Sequence, residues 1–315
     1  MEKRVIVIVG PTASGKTFLS LKLAEKLNSE IISADSRQIY KLLDIGTAKP
    51  SQKELRKIKH HFVDDLHPGQ DFNASKFEEE SIQIIKNLHQ KNKIPIVAGG
   101  SGLYVKALVD GIFNSVGKDE EYREELLHLK NNFGEEYLYK ILKEKDPESA
   151  AKIIPQNWKR VMRALEVFHL TGKTIGEMQS GYQREIDFEF LQIGLDWDRE
   201  TLYRNIENRV DEMIVNGLVD EVKYILKTGY SSKINALNTV GYKEIIYYLD
   251  GEITFERAIE LIKRNTRRFA KRQLTWFRKD ERIKWIKISG EQDLINSVEI
   301  IRDAVVNNED QTLFQ

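Results

Sequence analysis

Residues 1–27 read MEKRVIVIVGPTASGKTFLSLKLAEKL, and the stretch GPTASGKT at residues 10–17 decides the fold. It fits G-x-x-x-x-G-K-[ST], set between an apolar run at residues 5–9 and a helical pattern at residues 18–27. A short run of Val and Ile reads as a buried parallel strand. Gly10 and Gly15 let the backbone close around an anion. N–H groups along Thr12, Ala13 and Ser14 then point inward behind Pro11. Lys16 adds a point charge, and the Thr17 hydroxyl suits Mg²⁺. The helix N-terminus favours the same anion. A phosphate group is the expected ligand. The question is whether it belongs to ATP or GTP, or to a diphosphate on another molecule.

The chain has 315 residues, of which 41% are hydrophobic and 31% charged, enough for one large or two modest globular domains. It contains no cysteine, which excludes disulfides, thiolate catalysis and zinc–cysteine sites. No run is apolar enough to span a membrane. The N-terminus enters a strand almost at once, so no signal peptide is expected and a cytoplasmic location is. The net charge of zero hides an asymmetry. Residues 263–279, KRNTRRFAKRQLTWFRK, hold eight Lys or Arg and no acid. Such a segment points to an anionic partner.

Strand patterns at residues 5–9, 30–33, 61–65 and 94–98 alternate with helical patterns such as 18–27 and 74–90. That alternation predicts βαβ units and a parallel sheet. GPTASGKT, SADSRQIY and AGGSGLY leave the C-terminal ends of strands, where open α/β sheets bind ligands. From about residue 115 the sequence turns charged and helical, and strand character returns at residues 188–197. Helices are expected at 199–216, 218–227 and 254–278, with an edge strand at 284–288. The predicted fold is α/β: a P-loop-type parallel sheet flanked by helices, with an inserted all-helical subdomain. The catalytic core takes residues 1–114 and 188–315, and the insertion takes 115–187.

Several side chains are candidates for chemistry. Asp35 ends a strand, beside the phosphate loop in the expected sheet. It can hold Mg²⁺ through water, accept a proton, or simply cap a turn. Ser36 and Gln38 carry groups suited to a base edge. Lys49 in DIGTAKP is set either to contact phosphate or to be solvated. The strand IPIVAGG ends in glycines where many P-loop enzymes carry an acid, which argues against an ordinary ATPase; Ser101 offers a hydroxyl instead. In KHHFVDDLH a strand would send alternate side chains to opposite faces, so its histidines and acids are not expected to converge on a metal. Arg160 and Arg163 share a helix face. Arg209 is positioned to clamp a diphosphate bidentately, the alternative being a pair with Glu212 or Glu207. Arg264, Arg268 and Lys271 line one side of the basic helix, with Phe269 and Trp276 expected in the core. A nucleic-acid backbone is its natural partner.

Together GPTASGKT, DSRQIY, DIGTAKP, GGSGLY, RALEV, VGYKE and AKRQLTWFR resemble the bacterial tRNA dimethylallyltransferase family, in the family's order and over about residues 5–280. One departure is Ser101, where the family usually has Thr. The resemblance implies transfer of a dimethylallyl group from dimethylallyl diphosphate to N6 of the adenosine just 3′ of the anticodon, in tRNAs reading codons that begin with U. It assigns the diphosphate to Gly10, Pro11, Thr12, Ala13, Ser14, Gly15, Lys16, Thr17 and Arg209, with Mg²⁺ on Thr17. Asp35 is the proton acceptor, and Ser101 joins Lys16, Thr17 and Arg209 in the catalytic set. The tRNA anticodon stem-loop would meet Asp35, Ser36, Arg37, Gln38, Ser101, Arg123, Lys159, Arg160, Arg163, Thr239, Gly241, Tyr242 and Lys243. Arg264, Arg268, Lys271 and Arg272 would track its backbone, the insertion would close over the anticodon loop, and the enzyme would act as a monomer. The rival readings are a small-molecule or nucleotide kinase, which shares the loop and sheet but needs ATP, a non-catalytic RNA-binding or ATP-switch protein, and a prenyltransferase acting on a free nucleotide.

Overall fold

The computed structural model describes residues 3–113, 116–182 and 184–306. Its strands are β1 (Arg4–Val9), β2 (Ile31–Ser33), β3 (His60–His61), β4 (Ile96–Gly99), β5 (Glu189–Trp197) and β6 (Lys284–Ile288). They form one parallel sheet in the order β3-β2-β4-β1-β5-β6. β1 sits between β4 and β5, and its residues from Val5 to Val9 have no exposed surface. An unbroken apolar run suits that place, because a strand covered on both faces has no use for polar alternation. The α/β fold expected from the sequence is the one observed.

Helices α1 (Lys16–Lys26), α2 (Gln52–Lys57), α3 (Ala74–Gln90) and α4 (Gly102–Asp110) punctuate the first four strands. Then come α5 (Glu120–Phe133), α6 (Glu135–Lys145), α7 (Pro147–Lys152), α8 (Trp158–Thr171) and α9 (Ile175–Ser180). Between β5 and β6 lie α10 (Arg199–Val215), α11 (Leu218–Lys227), α12 (Tyr242–Leu249) and α13 (Phe255–Phe277); α14 (Glu291–Val306) ends the fold. No helix among the described residues is long and apolar enough to cross a membrane.

The strand expected at residues 61–65 shrinks to His60–His61. Phe62 and Asp64 take φ of 62° and 59°, a left-handed conformation that ends a strand. Helices α2, α4, α12 and α14 were not anticipated. α14 had a readable apolar spacing in Leu294, Val298, Ile301 and Val305, all buried in the cluster that also holds Leu19 and Leu23 of α1.

The chain divides into two compact units, Met1–Val109 with Asp187–Gln315, and Asp110–Ile186. The second is helical and packs around Leu126, Leu138, Leu142, Val161 and Leu165. Within it Glu166 is fully buried and receives Arg123 Nε at 2.6 Å, Arg163 Nη1 at 2.6 Å and the Asp119 N–H at 3.0 Å. Burial opposes its ionisation, but the hydrogen bonds from Arg123 and Arg163 outweigh that and hold the carboxyl below its usual value. Removing the acid would leave two half-buried guanidiniums without the carboxylate they share. Glu166→Ala should therefore cost about 3 kcal/mol, read as a lowered urea midpoint and faster hydrogen exchange in α5 and α8. An unchanged midpoint would show that the arginines find water instead.

Candidate active site

β1, β4 and β2 end level, with Val9 beside Gly99 and Ala98 beside Ser33. The loops that follow them gather at one sheet edge, the usual place for a ligand. The sequence reading put Asp35 next to the phosphate loop in the sheet, but β4 lies between their strands. Asp35 reaches the site because β4 ends in two glycines. A Cβ on Gly99 would stand 2.1 Å from the Ala34 carbonyl oxygen, and one on Gly100 would stand 2.2 Å from Gln273 Nε2. The glycines that replace the customary acid are there for close packing.

The phosphate loop is held from outside. Trp197 Nε1 donates to the Ser14 carbonyl at 3.0 Å. Gly15, at φ 86°, leads into α1, and no side chain caps that helix, so its first N–H groups remain open to an anion. Ser14 Oγ is buried without a hydrogen-bond partner among the described residues, a donor suited to a phosphate oxygen. Thr12 departs from its expected role: its N–H donates to Gln273 Oε1 at 2.9 Å and is withheld from the anion.

Beneath the loop lies a cavity of about 80 Å³ whose walls include Lys16, Thr17, Asp35 and Arg209. A larger cavity of about 600 Å³ shares Thr12, Asp35, Gly100, Arg209 and Gln273 with it, and adds Ser36, Arg37, Ser101, Thr239, Lys243, Arg268 and Arg272. That volume is typical of a small-molecule site. Asp35 Oδ1 accepts the Arg37 N–H at 2.9 Å, so the capping reading holds too. Burial, then the nearby Arg209 charge, pulls Lys16 down to about 7, with Asp35 opposing. Burial also lowers Arg209, again against Asp35 and Glu212. Of the two acids proposed as its partners, Glu207 instead takes Arg267 at 2.5 Å.

Other expected residues occupy different places. Lys49 is neither solvated nor on a phosphate: its side chain is 3% exposed and pairs with Asp44 at 2.7 Å and with Asp64. The Gln38 amide accepts from Ser33 Oγ at 3.0 Å and donates toward the Thr47 and Ala48 carbonyls, so it braces the loop where a base-edge contact was expected. Tyr242 is fully buried, its hydroxyl donating to Glu221 at 2.6 Å, which removes it from any RNA surface. The same Glu221 receives the N–H groups of Asp44, Ile45 and Gly46, clamping DIGTAKP from α11. Arg123 and Arg163 are engaged with Glu166, whereas Lys159 and Arg160 are exposed on α8. Phe269 and Trp276 are 40% and 38% exposed, not core; Phe269 lines the large cavity, as does Gly241, and Trp276 packs on Gly102. Arg268 and Arg272 face that cavity, but Arg264 and Lys271 do not line it. Among the basic segment's other charges, Lys263, Arg267 and Arg278 meet Asp211, Glu207 and Asp196. His61 bonds Glu30, and among the described residues no cluster of three or more His, Asp or Glu is arranged for a metal. Gln273 and Glu221 escaped sequence reasoning. A glutamine inside a basic helix and a glutamate on an amphipathic one have no local mark.

Comparison with known proteins agrees with this geometry. The family model described as IPP transferase matches residues 38–280. The tRNA dimethylallyltransferase of Caldanaerobacter subterraneus subsp. tengcongensis is 45% identical over 289 residues, covering 90% of this chain and 92% of its own. That of Carboxydothermus hydrogenoformans is 45% identical over 311 residues, covering 98% and 99%. Among solved structures, the full-length tRNA isopentenylpyrophosphate transferase of Bacillus halodurans superposes with a TM-score of 0.71 at 37% identity, covering 98% and 99% of the two chains. A eukaryotic dimethylallyltransferase solved acting on tRNA gives 0.80 at 28% identity, covering 97% and 80%. With the motifs, sheet and phosphate loop already in place, these likenesses show that the chain belongs to the IPP transferase family.

Proposed function

We propose that this protein transfers the dimethylallyl group of dimethylallyl diphosphate to N6 of the adenosine just 3′ of the anticodon, in tRNAs reading codons that begin with U, giving N6-isopentenyladenosine. The observation that carries this reading is the shared wall of Asp35 and Arg209, which belongs both to the small cavity under the phosphate loop and to the large cavity beside the basic helix. A donor diphosphate and an acceptor base placed in those two spaces would meet at one carboxylate.

The N6 lone pair attacks the allylic carbon, the new N–C bond forms as the C–O bond breaks, and the electron pair leaves with diphosphate. An exocyclic amine is a weak nucleophile, so orientation and stabilisation of the leaving group carry most of the rate gain. Lys16, Arg209 and the open N–H groups of α1 take up the charge that develops on diphosphate. Asp35 receives the N6 proton. Ser101 holds the Asp35 loop, since its Oγ accepts the Ser36 N–H at 3.0 Å. Thr17 and Asp35 both line the small cavity and carry oxygen donors, the chemistry Mg²⁺ favours when substrate oxygens and water complete its shell. When bound there, the ion adds Lewis-acid stabilisation of the leaving group. The target adenosine has to swing out of its loop stack to enter the large cavity. Thr239, Lys243, Arg268 and Arg272 line that cavity, and in the helical unit Lys159 and Arg160 are exposed cations suited to phosphate.

The direct test is transfer of labelled dimethylallyl diphosphate to unmodified tRNA with Mg²⁺, beside an ATP control without the prenyl donor. Label that vanishes when the adenosine 3′ of the anticodon is replaced is the expected result. No transfer, together with ATP hydrolysis, would point to a kinase instead. Asp35→Ala should lower single-turnover transfer at least ~100-fold and leave the tRNA Kd within about twofold. Loss of tRNA binding with normal chemistry would remove Asp35 from the proton-accepting role.

A pH dependence follows from Lys16. In the free protein it is protonated below about 7 and neutral above, whereas the diphosphate selects the ammonium form. Donor binding at higher pH must therefore take up a proton. Between about pH 8 and 9.5 the Kd of a non-hydrolysable dimethylallyl diphosphate analogue should rise roughly tenfold per unit, with about one proton absorbed from buffer in calorimetry. A flat Kd across that range would show that Lys16 is charged before the donor arrives.

A further inference from the structure

We propose that Gln273 is a positioning residue that sets the spacing between the diphosphate cradle and the proton-accepting loop, an inference that rests on the prenyl-transfer reading above. Gln273 lies on α13 and is 7% exposed. Its Oε1 accepts the Thr12 N–H at 2.9 Å, and its Nε2 donates to the Gly100 carbonyl at 3.0 Å. One planar amide thus ties the phosphate loop to the loop after β4. The second loop carries the tie onward. The Ser101 N–H donates to the Ala34 carbonyl at 3.1 Å, and Ser101 Oγ accepts the Ser36 N–H at 3.0 Å. Ala34 and Ser36 flank Asp35, so the chain of bonds runs from Thr12 through Gln273 and Ser101 to both neighbours of the proton acceptor.

Only a side-chain amide of this length can both accept and donate here. A glutamate keeps the acceptor and loses the donor, setting a carboxylate oxygen against a carbonyl, and a methionine of similar volume keeps neither bond. The neighbouring backbone is shaped around the amide as well, since any side chain at position 100 would collide with Nε2. Reacting groups held by such a brace are sensitive to small displacements, and a misplacement of about 1 Å can cost on the order of 100-fold in rate.

The test compares Gln273→Glu and Gln273→Met in single-turnover transfer with the full-length protein, alone and combined with Asp35→Asn. Expected is a loss of roughly 30-fold in the transfer rate for either variant, with tRNA Kd within about twofold and a lowered but still cooperative thermal midpoint, since both variants leave the buried Gly100 carbonyl without its donor. In the Asp35→Asn background the further loss should be under about threefold, because spacing to a missing proton acceptor no longer matters. A merely structural role would instead multiply the loss equally in both backgrounds, which overturns the proposal. So does near-normal transfer by both variants. Gln273→Glu, nearly isosteric, decides the matter if Gln273→Met fails to fold. If the wild type itself transfers no label, the proposed reaction fails first and the inference goes with it.

Discussion

The carbonyl oxygen of Ala34 lies 2.1 Å from where a Cβ on residue 99 would sit, and the arrangement of the site depends on that side chain being absent. β4 is wedged between the strand that feeds the phosphate loop and the strand that feeds Asp35. With a side chain at its tip, the Asp35 loop would be pushed away from Lys16. Without one, the loops after β1, β2 and β4 pack backbone to backbone, and Gln273 can reach in from α13 to bond two of them. Asp35, Lys16 and Arg209 then face one another across a space small enough for their charges to matter to each other.

The site and its surroundings treat polarity in opposite ways. Around it, buried polar groups are matched. Lys49 has Asp44 and Asp64, Glu221 collects three backbone N–H groups and a tyrosine hydroxyl, and Glu244 joins the Gly241 N–H to Asn265 Nδ2. These contacts make the loops stiff, because breaking any one leaves a buried group without a partner. Inside the site, Lys16 and Arg209 are both driven from their ordinary values by burial. Two cations held close together in a dry place are costly alone and well suited to a dianion. A rigid frame around two buried cations suits a leaving diphosphate, because little has to reorganise as charge develops.

Much of this was legible in the residues. The phosphate loop is a local pattern, since the glycines, the lysine and the flanking strand and helix act within one short stretch, and the structure keeps them together. The parallel sheet was legible from alternating periodicity, and β5, β6, α3 and α11 lie where that periodicity put them. Short helices with little amphipathic length, α2, α4 and α12, were not legible. Nor were the partners of charged residues. Lys49 was read as meeting phosphate or solvent, and Arg123 and Arg163 as tRNA contacts, because nothing local in the sequence marks Asp44, Asp64 and Glu166 as the acids that hold them. Phe269 was assigned to the core because aromatics usually are, but α13 turns it toward the cavity.

The sequence by itself determined that residues 10–17 would form a glycine loop leading into a helix N-terminus suited to an anion, that a parallel sheet would carry it, and that one helix would be strongly basic. Those properties depend on neighbours along the chain, through backbone φ, strand and helix periodicity, and local charge. The tertiary structure decided which charges were left for function. It placed β4 between β1 and β2, brought Asp35 to the phosphate loop, neutralised Lys263, Arg267 and Arg278 with acids from other elements, and set Gln273 across two loops. Such contacts form between residues tens to hundreds of positions apart, and their energies depend on burial and direction, which no stretch of sequence records.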